Sequence, residues 1–326
     1  MSFNDKIDQF FSSFDLSLGD APTRNLIYLY ADYVELISLF SNQNYVSASD
    51  ITDRFKDEGI IRQAKKDQDQ AEQNDEKESL VDEIFRLLNE RSLLFADDYP
   101  FLIYNTDKII LKKDNAISKR NKIYIFLLLS SSLNIFRLFQ PELTSEFELL
   151  CVHVLKNYLP KHAIVKSFGK NSEYSGTAKE KIRALAKDLR IRIDEEGFLE
   201  ISEKGNQEKG LDLIGWIGFD DQVANYISVL AQCACGKDWD KKLHETARYN
   251  NYMAFHRLVP VHSMFIPYNL VSYNKVTFFR STDISADRLI FERKRILNYL
   301  NEIDFFDDFK SIILVDKCIE FEESIV

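Results

Sequence analysis

The chain has 326 residues, of which 45% are hydrophobic and 29% charged, with a formal net charge of −10. This length and balance predict two or slightly more globular domains, each able to bury its own core. The acidic charge disfavours unaided tight binding of DNA or RNA, because proteins that bind nucleic acid over a long footprint usually present a basic surface.

The first predicted elements are three helices. Apolar residues recur at three- and four-residue spacing over 24–41 and again over 80–95, which predicts an amphipathic helix in each range. Between them, Ser47 or Ser49 is a candidate N-cap of a shorter helix, and Gly59 is its candidate end.

A hairpin is predicted next. In residues 99–114 two short β-prone runs flank Asn-Thr-Asp, which is typical of a turn. Three helices followed by a hairpin is the order of a winged helix-turn-helix, which either reads DNA with its third helix or serves as a protein interaction module. The third helix mixes its arginines with acids, which favours the interaction module; these residues are Arg86, Arg91, Asp82, Glu83 and Glu90.

The remaining N-terminal sequence suggests where domains begin and end. The charged stretch 65–79 has no apolar period and predicts either a solvated helix extension or a mobile loop. Residues 120–160 are helical in pattern and richly apolar. We therefore expect a helical, winged-helix-like domain (1–115), a helical connecting bundle (116–165) and a C-terminal domain (166–326).

The C-terminal domain is predicted to mix helices and strands. Residues 177–189 have the pattern of an amphipathic helix, and 191–201 that of a strand, a turn and a second strand. Two apolar strands follow within 210–219 and 227–239. The expected fold class of the whole chain is therefore α+β or α/β.

Each of the two apolar strands carries one polar side chain, Asp212 on the first and Gln232 on the second. Burying a carboxylate or an amide without a partner costs several kcal/mol, roughly 2–7 for an amide. Either both groups lie at strand ends and reach water, or they converge on something such as a metal ion.

These strands also resemble a known family. "GLDLIGW" followed by "VLAQCACGKDW" is similar to the core motifs of the PD-(D/E)xK (restriction endonuclease-like) nuclease superfamily, especially its Mrr-like branch, in which glutamine replaces the acid of the third motif. The resemblance covers residue 166 to the C-terminus, and its specific part lies within 180–239. It implies a mixed sheet flanked by helices, bound Mg²⁺ or Mn²⁺, and phosphodiester hydrolysis, mostly of DNA.

The resemblance assigns residues by position. Asp212 matches the metal-binding aspartate of the family's second core strand, and Gln232 matches the third-motif position, where its carbonyl would help to position the metal. The family's lysine normally stands two residues further on, where this chain has Ala234. Lys237 is the nearest substitute. Glu180 is the best match for the acid of the first helix, and Glu208 is a weaker competitor.

These residue types suit the chemistry. Mg²⁺ takes oxygen ligands and usually only one or two carboxylates from the protein, and it lowers the pKa of a bound water. A nearby lysine can stabilise charge that develops on a phosphate. On spacing alone, however, Asp212 and Gln232 could equally form hydrogen bonds at the sheet edge while Lys237 caps a turn.

A basic cluster near the C-terminus is the best candidate for contact with a phosphate backbone. It lies in a predicted helix over 287–300, although a solvated helix face explains it equally well; its residues are Arg288, Arg293, Lys294 and Arg295. Trp216 and Trp239 are expected to pack in the core. A thiol hydrolase using His244 or His256 is disfavoured, since nothing in the sequence links either histidine to an exposed thiolate.

The expected location is the cytoplasm. The longest apolar run, Ile123–Leu129, is far below the roughly 20 residues that span a bilayer. The N-terminal sequence lacks a basic region followed by an apolar segment. The four cysteines have no paired metal-binding spacing, which fits a reducing compartment.

These features lead to three hypotheses about function. The first is a metal-dependent endonuclease, acting as the effector subunit of a prokaryotic restriction or anti-phage defence system with a partner protein, and with a homo-oligomer also conceivable. The second, favoured by Ala234, is an inactive scaffold or regulatory subunit that keeps the fold. The third and weakest is a winged-helix transcription regulator, which predicts duplex binding by residues 1–115 alone.

Overall fold

The structure is a computed structural model that describes residues 1–23, 26–43, 45–61, 70–111, 117–201, 210–219, 221, 223–224, 226–255, 258–272, 277–278 and 288–324. The chain is of mixed α+β class. Its contacts divide it into two compact units. The first comprises Met1–Leu143, Tyr268–Ser281 and Ile303–Val326, and the second comprises Thr144–Pro267 and Thr282–Glu302.

This division differs from the one expected at residues 115 and 165. The border falls within a single helix, and two later segments belong to the N-terminal unit. Composition and periodicity follow the order of the chain, so they cannot show that a late segment packs with an early one.

The first unit contains a helical layer and small antiparallel sheets. Its three-stranded sheet has the order β1-β3-β2, and β8 pairs with β9 in a separate ladder. The elements are α1 (Phe3–Ser12), α2 (Ile27–Phe40), β1 (Val46–Ser47), α3 (Ala48–Asp57), α4 (Gln70–Phe95), β2 (Phe101–Tyr104), β3 (Lys108–Leu111), α5 (Lys119–Ser131), β8 (Val271–Ser272), β9 (Thr277–Phe278) and α11 (Ser311–Glu320).

Local sequence signals explain several of these boundaries. The Ser47 side chain accepts a hydrogen bond from the Asp50 backbone N–H, and the Asp50 carboxylate accepts one from the Ser47 N–H (2.8 Å), so α3 begins with a capping box. Beyond its end, Gly59 has a φ of +69°, which glycine adopts without strain. The predictions of Ser47 as the cap and Gly59 as the end are confirmed. Residues 70–79 belong to α4, while 65–69 lie outside the described residues.

Arg91, one of the two arginines of the third predicted helix, is a core residue. It is fully buried, and Nη1 lies 2.8 Å from Asp32 Oδ1 and 2.8 Å from Glu35 Oε1. Burial works against its charge, but the two carboxylates raise the pKa of Arg91 above its ordinary value. The Tyr99 and Tyr124 hydroxyls also donate to Glu35 Oε1, at 2.9 and 3.0 Å.

The second unit is built on a five-stranded mixed sheet of order β10-β7-β6-β5-β4. Strands β4, β5 and β6 are antiparallel neighbours, and β7 runs parallel to both β6 and β10. The elements are α6 (Gln140–Tyr158, which begins in the first unit), β4 (Ile164–Ser167), α7 (Ala178–Asp188), α8 (Glu195–Phe198), β5 (Leu213–Ile217), β6 (Ile227–Cys233), α9 (Tyr249–Tyr252), β7 (Val261–Phe265), β10 (Arg288–Phe291) and α10 (Arg293–Asn298).

The two faces of this sheet pack against different helices, because successive side chains of a strand point to opposite sides. On one face, a Cβ at Gly215 would lie 3.5 Å from the Leu155 side chain of α6 and 2.7 Å from Leu159, which directly follows α6. On the other, Ile214 and Leu230 share a core with Ile182 of α7. Trp216 and Trp239 are both buried, as expected.

Two predicted elements are wrong. Residues 191–201 contain the short helix α8, because the Asp194 side chain caps the Gly197 N–H (3.1 Å); only Ile193 forms an isolated bridge, with Met253. The predicted helix over 287–300 is a strand in its first half, because Arg288–Phe291 pair with β7, and α10 begins only after Glu292 caps the Arg295 N–H (2.9 Å). The first difference arises from a local cap, and the second from tertiary pairing with β7, which overrides local preference.

No helix in the described part of the chain is long and apolar enough to cross a membrane.

Candidate functional site

Asp212 lies at one end of the sheet, directly before β5, and is held from two sides. Its backbone N–H donates to Ala231 of β6 (2.9 Å), and its carbonyl accepts from Phe168 (2.6 Å) and Gly169 (2.9 Å), which follow β4. Its side-chain Oδ2 accepts from the Cys233 backbone N–H (2.7 Å). Such charge-assisted hydrogen bonds are strong, so the carboxylate has a defined position.

Gln232 and Asp212 lie on neighbouring strands but do not face each other. Leu213 pairs with Ala231, and the Asp212 N–H bonds the carbonyl of the same Ala231, so Asp212 is not paired with Gln232. Alternation along β6 places the Gln232 side chain on the face of Leu230, against α7, whereas the Asp212 carboxylate borders Glu148 of α6. Gln232 is 4% exposed, and its Nε2 donates to Glu245 Oε2. Its carbonyl Oε1 is buried and has no hydrogen-bond partner among the described residues. A buried acceptor of this kind costs about 1–3 kcal/mol.

A second carboxylate approaches Asp212 through the space that Gly169 leaves empty. A Cβ at Gly169 would lie 2.6 Å from Asp212 Oδ1 and 3.1 Å from Glu148 Oε2, so both oxygens border one point. The Glu148 carboxylate also accepts the Lys170 backbone N–H (3.0 Å). Sequence reasoning missed Glu148, although its position on α6, the helix before the first strand of this sheet, was a usable signal.

Glu245 approaches Gln232 in a similar way. A Cβ at Gly210 would lie 2.6 Å from Glu245 Oε2 and 3.2 Å from Gln232 Nε2, and Gly210 has a φ of +84°. Sequence reasoning missed this residue too. No periodic or motif signal marks it, because it lies in a turn region whose position depends on the folded sheet.

Glu180 has a different role from the one expected. Its Oε2 accepts from the Thr177 backbone N–H (2.7 Å) and hydroxyl (3.1 Å), which completes a capping box at the start of α7. These hydrogen bonds from Thr177 lower the pKa of the exposed Glu180 carboxyl. The structure therefore places Asp212 beside Glu148 rather than beside Glu180, and Gln232 beside Glu245; it does not bring Asp212 and Gln232 together as the sequence suggested. Glu208 lies outside the described residues.

The lysine expected near the site has two candidates. Lys237 is exposed in the turn after β6, and its charge helps to lower the pKa of Asp238, after the hydrogen bond from Lys241. Burial raises the pKa of the Cys235 thiol; Glu148 and Asp212 add to the rise, and Lys242 opposes it. Lys242 therefore shares the electrostatic neighbourhood of the two carboxylates.

The cysteines near the site are protonated. Burial raises the pKa of both Cys151 and Cys233, whose thiols share a hydrogen bond, and the charges of Glu148 and Asp212 raise them further. Because the thiolate is the nucleophile, these residues do not suit thiol hydrolysis. His244 instead lies beside Arg288, with Nδ1 3.0 Å from Nη2, and His256 is outside the described residues.

The basic cluster is not a single helix face. Arg293 is fully buried, and its Nε donates to the Pro267 carbonyl (2.8 Å), while Arg295 Nη1 donates to the Ile290 carbonyl (2.7 Å). Lys294 is half-buried, and Arg288 belongs to β10. The buried Arg293 cannot contact a phosphate backbone, so the cluster does not form the continuous basic surface expected from the sequence.

Two carboxylates meet at this end of the sheet. In the described part of the chain, no three His, Cys, Asp or Glu side chains form a metal-binding group. Asp212 Oδ1 and Glu148 Oε2 both border the space beside Gly169, and one or two carboxylates are what Mg²⁺ usually takes from a protein.

Neither a protein-family model, nor a curated protein, nor a solved structure matches this chain.

Proposed function

We propose that this chain is a metal-dependent nuclease of the PD-(D/E)xK type that hydrolyses phosphodiesters, with DNA as the expected substrate. The observation that carries the proposal is the pair of carboxylates beside Gly169, where Asp212 Oδ1 and Glu148 Oε2 border one point. A divalent cation there would offset the like charges of the two groups, and Asp212 stands where the family resemblance places a metal ligand.

The topology of the second unit supports this proposal. A helix (α6) is followed by three antiparallel neighbours (β4, β5 and β6) and by β7 parallel to β6. This is the arrangement that the resemblance implies for a restriction-endonuclease-like core. We propose that α6, rather than α7, takes the place of the family's first core helix, with Glu148 in place of Glu180 as its acid.

The residues of the proposed site act as metal ligands, as groups that orient those ligands, or as a positive charge near the phosphate. Asp212 and Glu148 would hold Mg²⁺ or Mn²⁺, which when bound polarises a phosphoryl oxygen and lowers the pKa of its water. The Cys233 and Lys170 backbone N–H groups orient the two carboxylates. The ammonium of Lys237 or Lys242 would stabilise negative charge that develops on the phosphate.

The first unit fits a nuclease that works with a partner subunit. It does not favour DNA binding by this unit alone. The order α2, β1, α3, α4, β2, β3 and the sheet order β1-β3-β2 fit a winged helix. However, α3 and the segment before α2 line a cavity of about 540 Å³ that contains five carboxylates, while Arg54 pairs with Glu58 (2.8 Å). Such a surface repels phosphates. We propose that this unit docks a partner subunit of a prokaryotic restriction or anti-phage system in the cytoplasm.

A specific observation favours a second function, that of an inactive scaffold. Ala234 is buried, 2% exposed, and its backbone N–H donates to Phe265 (2.9 Å). A lysine normally stands at this position in the family. If neither Lys237 nor Lys242 replaces that charge, the fold remains and the chemistry is lost.

The test is cleavage of plasmid DNA by the full-length chain with Mg²⁺ or Mn²⁺. We expect Asp212→Asn and Glu148→Gln to reduce cleavage to background, while the matched Glu180→Gln retains it. Folded wild-type protein that cleaves neither duplex nor single-stranded DNA with either ion, alone or with its partner, supports the scaffold. Equal loss in both glutamate variants would contradict the assignment of Glu148.

A further inference from the structure

Helix α7 and the residues directly after it are basic, although the chain as a whole is acidic. Residues 177–192 contain six basic and two acidic side chains, a local net charge of +4 in a chain whose formal net charge is −10. The six basic residues are Lys179, Lys181, Arg183, Lys187, Arg190 and Arg192.

Four of these basic side chains form an exposed surface. Arg183 and Lys187 are four residues apart, which places them on the same face of the helix. Arg190 and Arg192 continue in the turn that ends it, where the Arg190 N–H donates to the Lys187 carbonyl (3.1 Å). All four residues are exposed, unlike the cluster that contains the buried Arg293. We call these four residues the α7 basic surface.

The two acidic residues of this stretch have other partners. Glu180 Oε2 accepts from the Thr177 N–H (2.7 Å) and hydroxyl (3.1 Å). Asp188 Oδ2 accepts from Lys166 Nζ (2.7 Å) and from the Tyr174 hydroxyl (2.8 Å). Among the residues that the structure describes, no acid lies within ion-pair distance of the α7 basic surface. Its positive charges are therefore available to a bound anion.

Helix stability does not account for all of these charges. A basic residue in the last turn offsets the helix dipole, which accounts for Lys187. Arg183 lies in the middle of α7, however, and like charges at the spacing of Arg183 and Lys187 destabilise a helix. The Arg183 guanidinium is instead held over the Phe198 ring of α8, 4.7 Å from its centroid, which gives this charge a defined position on the surface.

The α7 basic surface and the candidate site belong to the same unit. Gly169, which borders the Asp212 and Glu148 carboxylates, follows β4, and α7 is the next helix along the chain. A phosphate backbone that binds to α7 is therefore held by the unit that carries the two carboxylates.

We infer that the α7 basic surface binds the phosphate backbone of the DNA that the candidate site cleaves. This inference rests on the proposed function and names the surface that holds its substrate. Three of the four residues are arginines, whose planar guanidinium groups bind phosphate oxygens in a bidentate manner. Such contacts position a duplex without reading its sequence. About four contacts give weak, salt-sensitive binding, in agreement with the acidic charge of the whole chain.

The experiment measures binding of a short fluorescein-labelled DNA duplex to the full-length chain by fluorescence anisotropy without divalent ions. Each phosphate contact contributes about 0.9 to the slope of log affinity against log salt concentration. Between about 50 and 200 mM salt, we expect the affinity to fall roughly 150-fold in wild type and roughly fourfold in Arg183→Gln/Lys187→Gln/Arg192→Gln. Arg190 is kept because its guanidinium donates to the Asp221 carbonyl.

The matched control removes the same number of positive charges at other exposed positions. The variant Arg137→Gln/Lys156→Gln/Lys161→Gln has the net charge of the test variant and should keep the salt dependence of wild type. The melting temperatures of both variants establish that they are folded. Equal weakening in both variants would show that overall charge is the cause and would overturn the inference.

A competitor distinguishes DNA from an acidic protein partner. Unlabelled duplex should displace the labelled duplex at a lower concentration of charge than poly-glutamate does. If poly-glutamate competes equally well, the surface binds acidic protein and the inference is wrong. A folded wild-type chain that binds no duplex at about 50 mM salt, where phosphate contacts are strong, also overturns it.

Plasmid cleavage with Mg²⁺ tests the proposed function separately. If the test variant binds and cleaves DNA as wild type does while Asp212→Asn does not cleave it, the inference is wrong and the proposed function stands. If wild type binds the duplex through α7 but never cleaves DNA, the binding surface stands and the proposed function is wrong.

Discussion

The backbone N–H of Cys233 donates to Oδ2 of Asp212 at 2.7 Å, so the end of β6 holds the carboxylate that precedes β5. One carboxylate oxygen is thereby committed to joining the two strands, and the other, Oδ1, borders the space beside Gly169. The position of Asp212 thus depends on strand pairing as much as on its own rotamer. We therefore expect substitutions near this end of the sheet to weaken cation binding more than they destabilise the fold.

Gly169→Ala tests that expectation directly. The added methyl group would lie 2.6 Å from Asp212 Oδ1 and 3.1 Å from Glu148 Oε2, where it separates the two oxygens and occupies the place of the proposed cation. We expect Mn²⁺ affinity, measured by titration, to fall by at least about tenfold, a change of roughly 1.4 kcal/mol. Gly236→Ala is the matched control, because a Cβ there meets nothing within 4 Å. Equal affinities in the two variants would contradict the site.

The part of this site that could be predicted from the sequence is the position of Asp212 at the start of an apolar strand. The expected convergence with Gln232 does not occur, because the Asp212 N–H bonds Ala231 rather than pairing with Gln232, and a shift of one residue along a strand moves a side chain to the other face. The periodic helices α2, α3 and α7 were predictable, since their apolar spacing and caps are local.

Glu148 and Glu245 could not be found in that way. Glu148 reaches Asp212 only because a residue without a side chain, Gly169, follows β4, and Glu245 reaches Gln232 only through the fold of a turn. β10 was assigned to a helix because its partner strand, β7, lies far away in the sequence. Contacts of this kind arise from tertiary structure and leave no period in the chain.

Arg91→Met should strongly destabilise the first unit. The substitution leaves Asp32 and Glu35 buried, at 2% and 0% exposure, without the guanidinium that lies 2.8 Å from each. Removing one partner of a buried ion pair costs about 3–5 kcal/mol, which urea unfolding of the full-length chain would detect. Arg86→Met on the same helix is the control: this side chain is 66% exposed, and the expected change is within about 0.5 kcal/mol. Similar losses in both variants would show that the buried cluster is not the cause.

Asp188 should contribute to stability in a pH-dependent way. Burial opposes its charge, but hydrogen bonds from Lys166 and Tyr174 lower the pKa of Asp188 below its ordinary value of 3.8. A lowered folded-state pKa gives stability that is present above pH 3.8 and is lost as pH falls through the folded value.

The Asp188→Asn variant measures this contribution. The side chain is 34% exposed, so solvent screening limits the expected loss at pH 7 to about 1 kcal/mol or less. The difference between wild type and variant should shrink as the pH falls below 3.8, which urea unfolding at pH 7 and pH 3 would show. If wild type and variant differ in stability by the same amount at pH 7 and at pH 3, the charge of the Asp188 carboxylate is not the cause of the difference.

The turn of the β2–β3 hairpin is strained at Thr106. Asn105 and Thr106 have φ values of +49° and +67°, and the Asp107 N–H donates to the Tyr104 carbonyl (3.2 Å) across them. Asparagine tolerates this left-handed region, whereas a β-branched residue there is a genuine outlier. The left-handed conformation costs an ordinary residue about 1–2 kcal/mol, and glycine loses more chain entropy on folding. We therefore expect Thr106→Gly to stabilise the hairpin by about 0.5–1 kcal/mol.

Native-state hydrogen exchange of the β2 and β3 amides measures this effect locally. Protection of these amides should increase about two- to fivefold in Thr106→Gly, which corresponds to the expected free-energy gain. Asn105→Gly, at the neighbouring position, should change protection less, because asparagine already adopts positive φ at low cost. Reduced protection in Thr106→Gly would mean that the threonine side chain stabilises the turn by more than its backbone strain costs.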